Sequence, residues 1–343
     1  MNKLPVKKLL TGMALAAAML TLAGTASAQV ADQSADGDSF KLMSFDGTYI
    51  AVKVRKPEGE GPFPAVLFLH GGNGGGGERR IERIAHDPLP SYFLERGFVV
   101  MVSNYRRYHF GVEEMYDVYA AYEELEGLPF VDPNRISAIG ASHGGYLVEL
   151  LAMKKKLACV VSTGGLVDIE ALFDRAQNFR SSYSTQEEGW AILTMDRRER
   201  AKLKPFREDA EVFNQNPVAK NMILAEHPFE LALRFEDDKA KYTEISPLQN
   251  ANRILAPLLY LSGDQDPLTA DGKKLVERLQ ALGKTAELSV FPGVGHGFSW
   301  GVGQISIHLG VGLGWSWNTW EEPPAEFYKA AEKMLSFVKA HSK

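Results

Sequence analysis

A serine hydroxyl becomes a useful nucleophile only when a base stands ready for its proton and donors await the oxyanion it creates. Ser142 lies in Gly140-Ala141-Ser142-His143-Gly144, with the apolar run Ile136, Ala138 and Ile139 before it and helix-forming residues after it. A buried-type strand, a sharp turn and a helix form the setting in which G-x-S-x-G lifts a serine above a sheet edge. The base is expected from His296, in Pro292-Gly293-Val294-Gly295-His296-Gly297-Phe298, past the last buried-type strand and before the last helix. His143 enters the helix, so its ring should turn away from the hydroxyl, and His70 is better placed to brace its own glycine loop. The orienting carboxylate should fall between serine and histidine in the chain, where Leu261-Ser262-Gly263-Asp264-Gln265-Asp266-Pro267 offers two candidates. Asp266 is preferred because the chain has turned away from Gly263 before presenting it, while Asp264 suits turn capping. Oxyanion donors are expected from the backbone N–H of His143 and from Gly71 and Gly72, in the loop after Pro64–Leu69.

The elements that must position these groups are read from periodicity. Phe40–Ser44 and Tyr49–Arg55 form two strands about Asp46-Gly47, a hairpin signal. Pro64–Leu69, Phe98–Ser103, Ala158–Ser162 and Pro257–Leu261 are continuous apolar runs, as expected of strands covered on both faces. Ala286–Phe291 alternates. Helical spacing runs over 78–86, 112–125, the stretch from the elbow to about Lys156, 270–282 and 325–340. This alternation predicts an α/β fold with a doubly wound, mostly parallel sheet, in which reacting groups collect beyond the carboxyl ends of the strands. From 168 to 252 the strand–helix rhythm stops and charged residues mix with Phe, Leu and Met as on short amphipathic helices. That block is expected to be a helical cap inserted into one core made of 29–167 and 253–343.

Residues 1–28 read as a secretory signal peptide: Lys3, Lys7 and Lys8 precede the apolar Leu9–Leu22, and Ala26-Ser27-Ala28 supplies small residues at the cleavage point. Cleavage leaves 343 − 28 = 315 residues, with no integral membrane span and a periplasmic or secreted destination. A net charge of −5 gives no reason to expect nucleic acid. The single cysteine, Cys159, makes no internal disulfide and reads as a small buried hydrophobe. The glycines at 70–77 do not form a phosphate loop, since Gly77 is followed by Glu78 and Arg79 rather than Lys-Ser/Thr. The histidines are too scattered for a metal centre, and no cofactor is implied. Ser299–Trp320, with Trp300, Trp315, Trp317 and Trp320, reads equally as a pocket wall beside the base or as a loop packed on the core.

Together these segments resemble the α/β-hydrolase superfamily and, within it, the catalytic domain of the prolyl oligopeptidase family of serine peptidases. The resemblance rests on Asn104-Tyr105-Arg106, Phe110-Gly111, Phe130 to Ile136, Gly140-x-Ser142-x-Gly144-Gly145-Tyr146, Gly263-x-x-Asp266 and Gly295-His296-Gly297-Phe298, in that family's order. It runs from about residue 45 to the end, apart from the cap. It implies Ser142 as nucleophile, Asp266 as acid and His296 as base, acting on ester, amide or short peptide bonds of a small-molecule or peptide substrate. Tyr105-Arg106-Arg107 stands where the family has Tyr-Arg-Gly, the cap is unfamiliar, and no room is left for an N-terminal β-propeller. Small propeller-less relatives include esterases, lactone hydrolases and acyl-sugar deacetylases, so carboxylic ester hydrolysis is the main alternative. An acyltransferase and a non-catalytic binding protein on the same fold are the further ones.

Overall fold

The computed structural model describes residues 37, 39–72, 74–180, 182–195, 197–200, 202–204, 226–300 and 325–343. The expected signal segment and Trp315, Trp317 and Trp320 lie outside the described residues.

Eight strands form one sheet: β1 (Phe40–Met43), β2 (Tyr49–Arg55), β3 (Phe63–Leu69), β4 (Val99–Ser103), β5 (Val131–Ala141), β6 (Val160–Thr163), β7 (Leu258–Gly263) and β8 (Ala286–Phe291). Their order is β1-β2-β4-β3-β5-β6-β7-β8. The first two pairings are antiparallel and every other one is parallel. The β1–β2 hairpin turns where Asp46-Gly47 permits a positive φ at Gly47, with the Ser44 N–H donating to the Thr48 carbonyl.

In the interior strands successive side chains feed two separate cores. Leu67 and Leu69 of β3 pack on one face with α3 (Glu114–Gly127) and α4 (His143–Ala152). Val66 and Phe68 pack on the other with α1 (Glu78–Ala85), α2 (Pro88–Leu94) and the C-terminal helix Ala325–His341. Both faces being covered explains the continuous apolar runs.

Two elements depart from the sequence expectation. β5 begins at Val131, not Ile136, because Asp132-Pro133-Asn134-Arg135 bulges out between the pairings Phe63↔Val131 and Ala65↔Ile136. Pro133 has no N–H for the ladder, and Asp132 holds the bulge by accepting from Arg135 Nε (2.7 Å) and the Asn134 N–H (3.0 Å). α2 contains Pro88 and Pro90, which suggest a turn; both fall in its first turn, where a missing N–H costs nothing.

Between β6 and β7 the described residues are helical: α5 (Phe173–Arg180), α6 (Gln186–Thr194), α7 (Glu226–Phe235) and α8 (Lys239–Glu244). Phe179, Phe229, Leu233 and Tyr242 join this insertion to the first core. Polar contacts also fix it: Glu230 of α7 accepts the Phe110 N–H (2.7 Å), and the Tyr146 hydroxyl of α4 donates to the Ile245 carbonyl (3.0 Å). After β7 the chain continues through α9 (Thr269–Ala281), and Ala325–His341 is α10.

Glu149 is the one acid in α4, a helix buried on all sides, and the Ser162 hydroxyl beside it offsets that burial only in small part. Burial pushes its pKa well above the ordinary glutamate value, so the folded protein keeps it neutral. The unfolded chain releases that proton near pH 4.3, so the unfolded state binds fewer protons at higher pH and stability falls with a slope of about 1.4 kcal/mol per pH unit up to the folded pKa. Glu149→Gln removes this term. Thermal melts from pH 5 to 8 should show the variant gaining on the wild type as pH rises; a constant difference across the range would contradict a neutral Glu149.

Candidate active site

β5 ends at Ala141 and α4 begins at His143, leaving Ser142 alone at the junction with φ 53° and ψ −119°. A non-glycine residue in that conformation costs on the order of 1–3 kcal/mol and persists only where its surroundings enforce it. Here they do. A Cβ at Gly140 would collide with the Gly144 carbonyl, and one at Gly144 with the Leu69 carbonyl, so helix and sheet meet backbone to backbone. The Ser142 N–H donates to the Thr163 carbonyl at 2.8 Å, tying the elbow to the end of β6.

His143 opens α4, so its N–H has no partner within the helix and faces the elbow with the positive end of the helix dipole. Its ring is turned away from the serine, as its place in the chain suggests. Nε2 lies 3.0 and 2.9 Å from the two oxygens of buried Glu114, and the ring stacks on Tyr105 (5.5 Å) and on His227 of α7 (5.2 Å). Gly71 packs against the elbow, with the place of its absent Cβ only 3.2 Å from Ser142 Cβ. Behind that loop the Tyr105 hydroxyl lies 2.8 and 2.7 Å from the carbonyls of His70 and Gly72. Because N–H and C=O of a trans peptide point in opposite directions, the Gly71 N–H is aimed away from Tyr105. Gly72, at φ +80°, has open space where a side chain would be. His70 braces the loop: its ring stacks on Tyr105 at 4.8 Å and Nε2 meets Asn104 Oδ1 at 3.1 Å. Burial, reinforced by Arg80, drives its pKa down to about 4, leaving it neutral near pH 7.

Asp266 and His296, thirty positions apart, meet directly: Asp266 Oδ2 lies 2.8 Å from His296 Nδ1. The other oxygen, Oδ1, accepts the Leu268 N–H at 2.9 Å, which fixes the carboxylate. The Asp266 side chain is 2% exposed and the imidazole 14%. Burial opposes protonation of the ring, but the charge of Asp266 and its hydrogen bond outweigh burial, so the His296 pKa is raised above 6.5. Asp264 stays outside this pair and accepts the Gly293 N–H (2.9 Å), a turn contact that steadies the histidine loop. That loop is pinned beyond His296 by Phe298 and Trp300, both in the second core. Trp300 donates to Thr163 Oγ1 (3.2 Å) and meets Phe68 edge-on, so it packs for support.

The two halves gather at one corner, Thr163-Gly164. Thr163 holds the Ser142 backbone, while a Cβ at Gly164 would sit 2.7 Å from Asp266 Oδ2 and 3.0 Å from His296 Nδ1. Among the described residues Ser142 Oγ makes no hydrogen bond to His296; such contacts are commonly open without substrate and close in the reacting complex. The sequence reading passed over Gly164 and Glu114. Gly164 had a signal in the Gly-Gly pair just past an apolar strand, at the sheet end where reacting groups collect. Glu114 had none, because an acid beside Glu113 at the start of a helical stretch reads as solvated. Among the described residues no cluster of histidine, cysteine or acidic side chains could hold a metal ion, and no helix is long and apolar enough to cross a membrane.

An open parallel sheet with a strained serine elbow, an Asp–His pair past later strands and a helical insertion between them is the arrangement of an α/β hydrolase. Residues 66–299 match the alpha/beta hydrolase fold family, and the chain belongs to it. In sequence it is similar to dipeptidyl-peptidase 5 of Porphyromonas gingivalis, 34% identical over 83 residues, covering 24% of this chain and 11% of that protein. Among solved structures it is similar to a puromycin-hydrolyzing peptidase of Mycobacterium tuberculosis, with 19% identity and a TM-score of 0.59 over 89% of this chain and 39% of the other. It is also similar to a Pyrobaculum calidifontis esterase, with 18% identity and a TM-score of 0.58 over 88% of this chain and 85% of the esterase. At these identities the structural likeness speaks to the fold. The matches span well under two thirds of either peptidase.

Gly164→Ala tests the corner. The residue has φ +61°, and its new Cβ would displace the Asp266–His296 pair. A displacement of about 1 Å at reacting groups costs about 10²-fold. Hydrolytic kcat/KM should fall by about that factor and the melting temperature by a few degrees. Unchanged activity would mean that Asp266 and His296 need not be held there.

Proposed function

We propose that the protein is a serine hydrolase that cleaves carboxylic esters, amides or short peptide bonds through an acyl-enzyme on Ser142. The observation that carries this reading is the 2.8 Å Asp266–His296 contact, placed on the same Thr163-Gly164 corner that holds the Ser142 elbow. In the proposed cycle His296 Nε2 takes the Ser142 proton as Oγ attacks the carbonyl. Asp266 accepts the Nδ1–H throughout, fixing the tautomer and stabilising the imidazolium. The oxyanion is met by the His143 N–H and an N–H of the Gly71-Gly72 loop. His296 then protonates the leaving group, and water, activated by the same base, releases the acyl group. No step needs a cofactor. Residues 1–28 support action outside the cytoplasm, in the periplasm or secreted, after signal removal.

Small-ester hydrolysis has its own support: the likeness to the esterase extends over 85% of that chain, against 39% of the puromycin-hydrolyzing peptidase. A panel of p-nitrophenyl esters beside aminoacyl and dipeptidyl anilides separates the two substrate classes. Product analysis with competing alcohols separates hydrolysis from acyl transfer.

Ser142→Ala should abolish labelling by a fluorophosphonate and lower kcat by a factor on the order of 10⁶. Full activity in that variant on every substrate would end the proposal. The pH dependence follows from His296, which must be neutral to act as a base. Its raised pKa places the acid limb of kcat/KM above pH 6.5, with activity lost as pH falls through it. In Asp266→Asn burial acts unopposed, so the limb should move to lower pH while kcat falls by about 10⁴-fold. A limb that stayed in place would assign the titration to another group.

A further inference from the structure

The loop that follows the oxyanion glycines carries two guanidinium groups that the proposed cycle does not use. Arg80, in α1, donates from Nη1 to the Gly75 carbonyl (2.7 Å) and places Nη2 3.3 Å from His70 Nδ1. Arg107 arrives from the other side, past the end of β4. Its Nε is 3.4 Å from the Gly74 carbonyl, and its guanidinium carbon is 3.9 Å from where a Gly75 Cβ would sit. Two cations from different elements therefore lie against the same two glycines.

Among the described residues neither guanidinium has an acidic partner within ion-pair distance. Their neighbour Arg106, by contrast, is held between Asp46 and Asp117. Arg80 is partly buried, and its protonation is disfavoured first by burial and further by the nearby charges of Arg107 and Arg83, with Tyr105 acting the other way. Like charges brought together at a partly desolvated place are costly unless an anion joins them. Arg107 is exposed, lies 5.6 Å from the centre of the Tyr108 ring and hydrogen-bonds through Nε alone, so both of its terminal nitrogens are available as a planar fork.

The position relative to the reacting serine gives this arrangement a use. Gly71 touches the Ser142 elbow. Gly74 is three residues further on, roughly 11 Å of chain at most. The guanidiniums therefore lie within a few residues' length of the carbonyl under attack. We propose that Arg107, backed by Arg80, binds a carboxylate carried by the substrate, so that the Ser142 site prefers carboxylate-bearing esters or peptides to matched neutral ones. This inference rests on the serine hydrolase reading and names the substrate class for that same site. A fork of N–H donors suits a carboxylate bidentately. Arg107 supplies that fork.

The test uses two matched substrate pairs, which locate the carboxylate on the acyl or the leaving side. One pair is p-nitrophenyl hydrogen adipate against methyl p-nitrophenyl adipate; the other is 4-acetoxybenzoate against its methyl ester. The ratio of kcat/KM, charged over neutral, should exceed one in at least one pair. Arg107→Gln should lower that ratio about tenfold, mainly through KM, since one charged hydrogen-bonded contact is at stake. Arg107→Lys should retain part of the preference. Arg96→Gln, a surface arginine lying on Tyr92, should leave it as in the wild type. Added salt should shrink it. A wild-type ratio at or below one in both pairs, or a ratio indifferent to Arg107→Gln, overturns the inference. If fluorophosphonate labelling and hydrolysis of the neutral esters persist in that case, the hydrolase reading stands without it. If neither labelling nor hydrolysis of any ester occurs, both fall.

Discussion

The constraint on which the structure depends is the backbone-to-backbone approach of α4 to β3 and β5. With no Cβ at Gly140 or Gly144, the helix lies close enough to the strands that one residue, Ser142, must absorb the whole reversal of direction at φ 53°. The strain is borne by the packing around it: α4 is buried along its full length, and Ser142 is further held by the Thr163 carbonyl. A looser junction would allow an ordinary turn and a serine lying flat on the sheet edge. The tight one points a hydroxyl outward and leaves the first N–H of α4 beside it, so that the proposed nucleophile and the proposed oxyanion donor come from a single geometric requirement.

Around this junction the polar network is arranged to hold backbone. Tyr105 is shared between two carbonyls of the glycine loop, His70 is wedged between Tyr105 and Asn104, and Arg106 links the β1–β2 turn to α3 through Asp46 and Asp117. The Arg106–Asp46 contact is solvent-exposed on the aspartate side, whereas Asp117 is fully buried. The second contact is therefore the costly one to break, because removing the Arg106 side chain would leave a buried carboxylate without its counter-charge, holding only the Arg106 backbone N–H. His143 does comparable work between Glu114 and His227. Through it the helical insertion rests directly on the elbow helix, so the position of α7 and that of the His143 backbone are coupled by packing.

Much of this is legible in the sequence because the candidate reacting groups sit at strand ends, and strand ends are marked by where apolar runs stop. Ser142, Asp266, His296 and the Gly71-Gly72 loop all announce themselves in this way. The choice between Asp264 and Asp266 follows the same logic: the nearer residue is still within the turn and caps it, while the farther one reaches the histidine. What the sequence conceals is partnership across the fold. Glu114 looks like a solvated helix residue, yet it is buried against His143, whose sequence position says nothing about the acid. Trp300 belongs by composition to an aromatic, glycine-rich stretch, yet it serves as a core side chain under Thr163. α2 is hidden by its two prolines, and the true start of β5 by the bulge at Pro133. In each case a long-range contact outweighs the local signal.

The corner at Thr163-Gly164 also bears on how a large insertion is tolerated. The chain leaves the sheet there and returns at Leu258, and β6 and β7 are hydrogen-bonded neighbours in register from Val160↔Leu258 to Thr163↔Leu261. The strands on either side of the insertion are thus fixed by the sheet itself, and whatever lies between has only to cross from one end of these short strands to the other, a requirement whose entropic cost rises only slowly with length. Asp266 follows the return strand and Ser142 is bonded to the departing one. The distance between them is accordingly set by a parallel ladder, while the insertion bears on the elbow from its other side, through the His143–His227 contact.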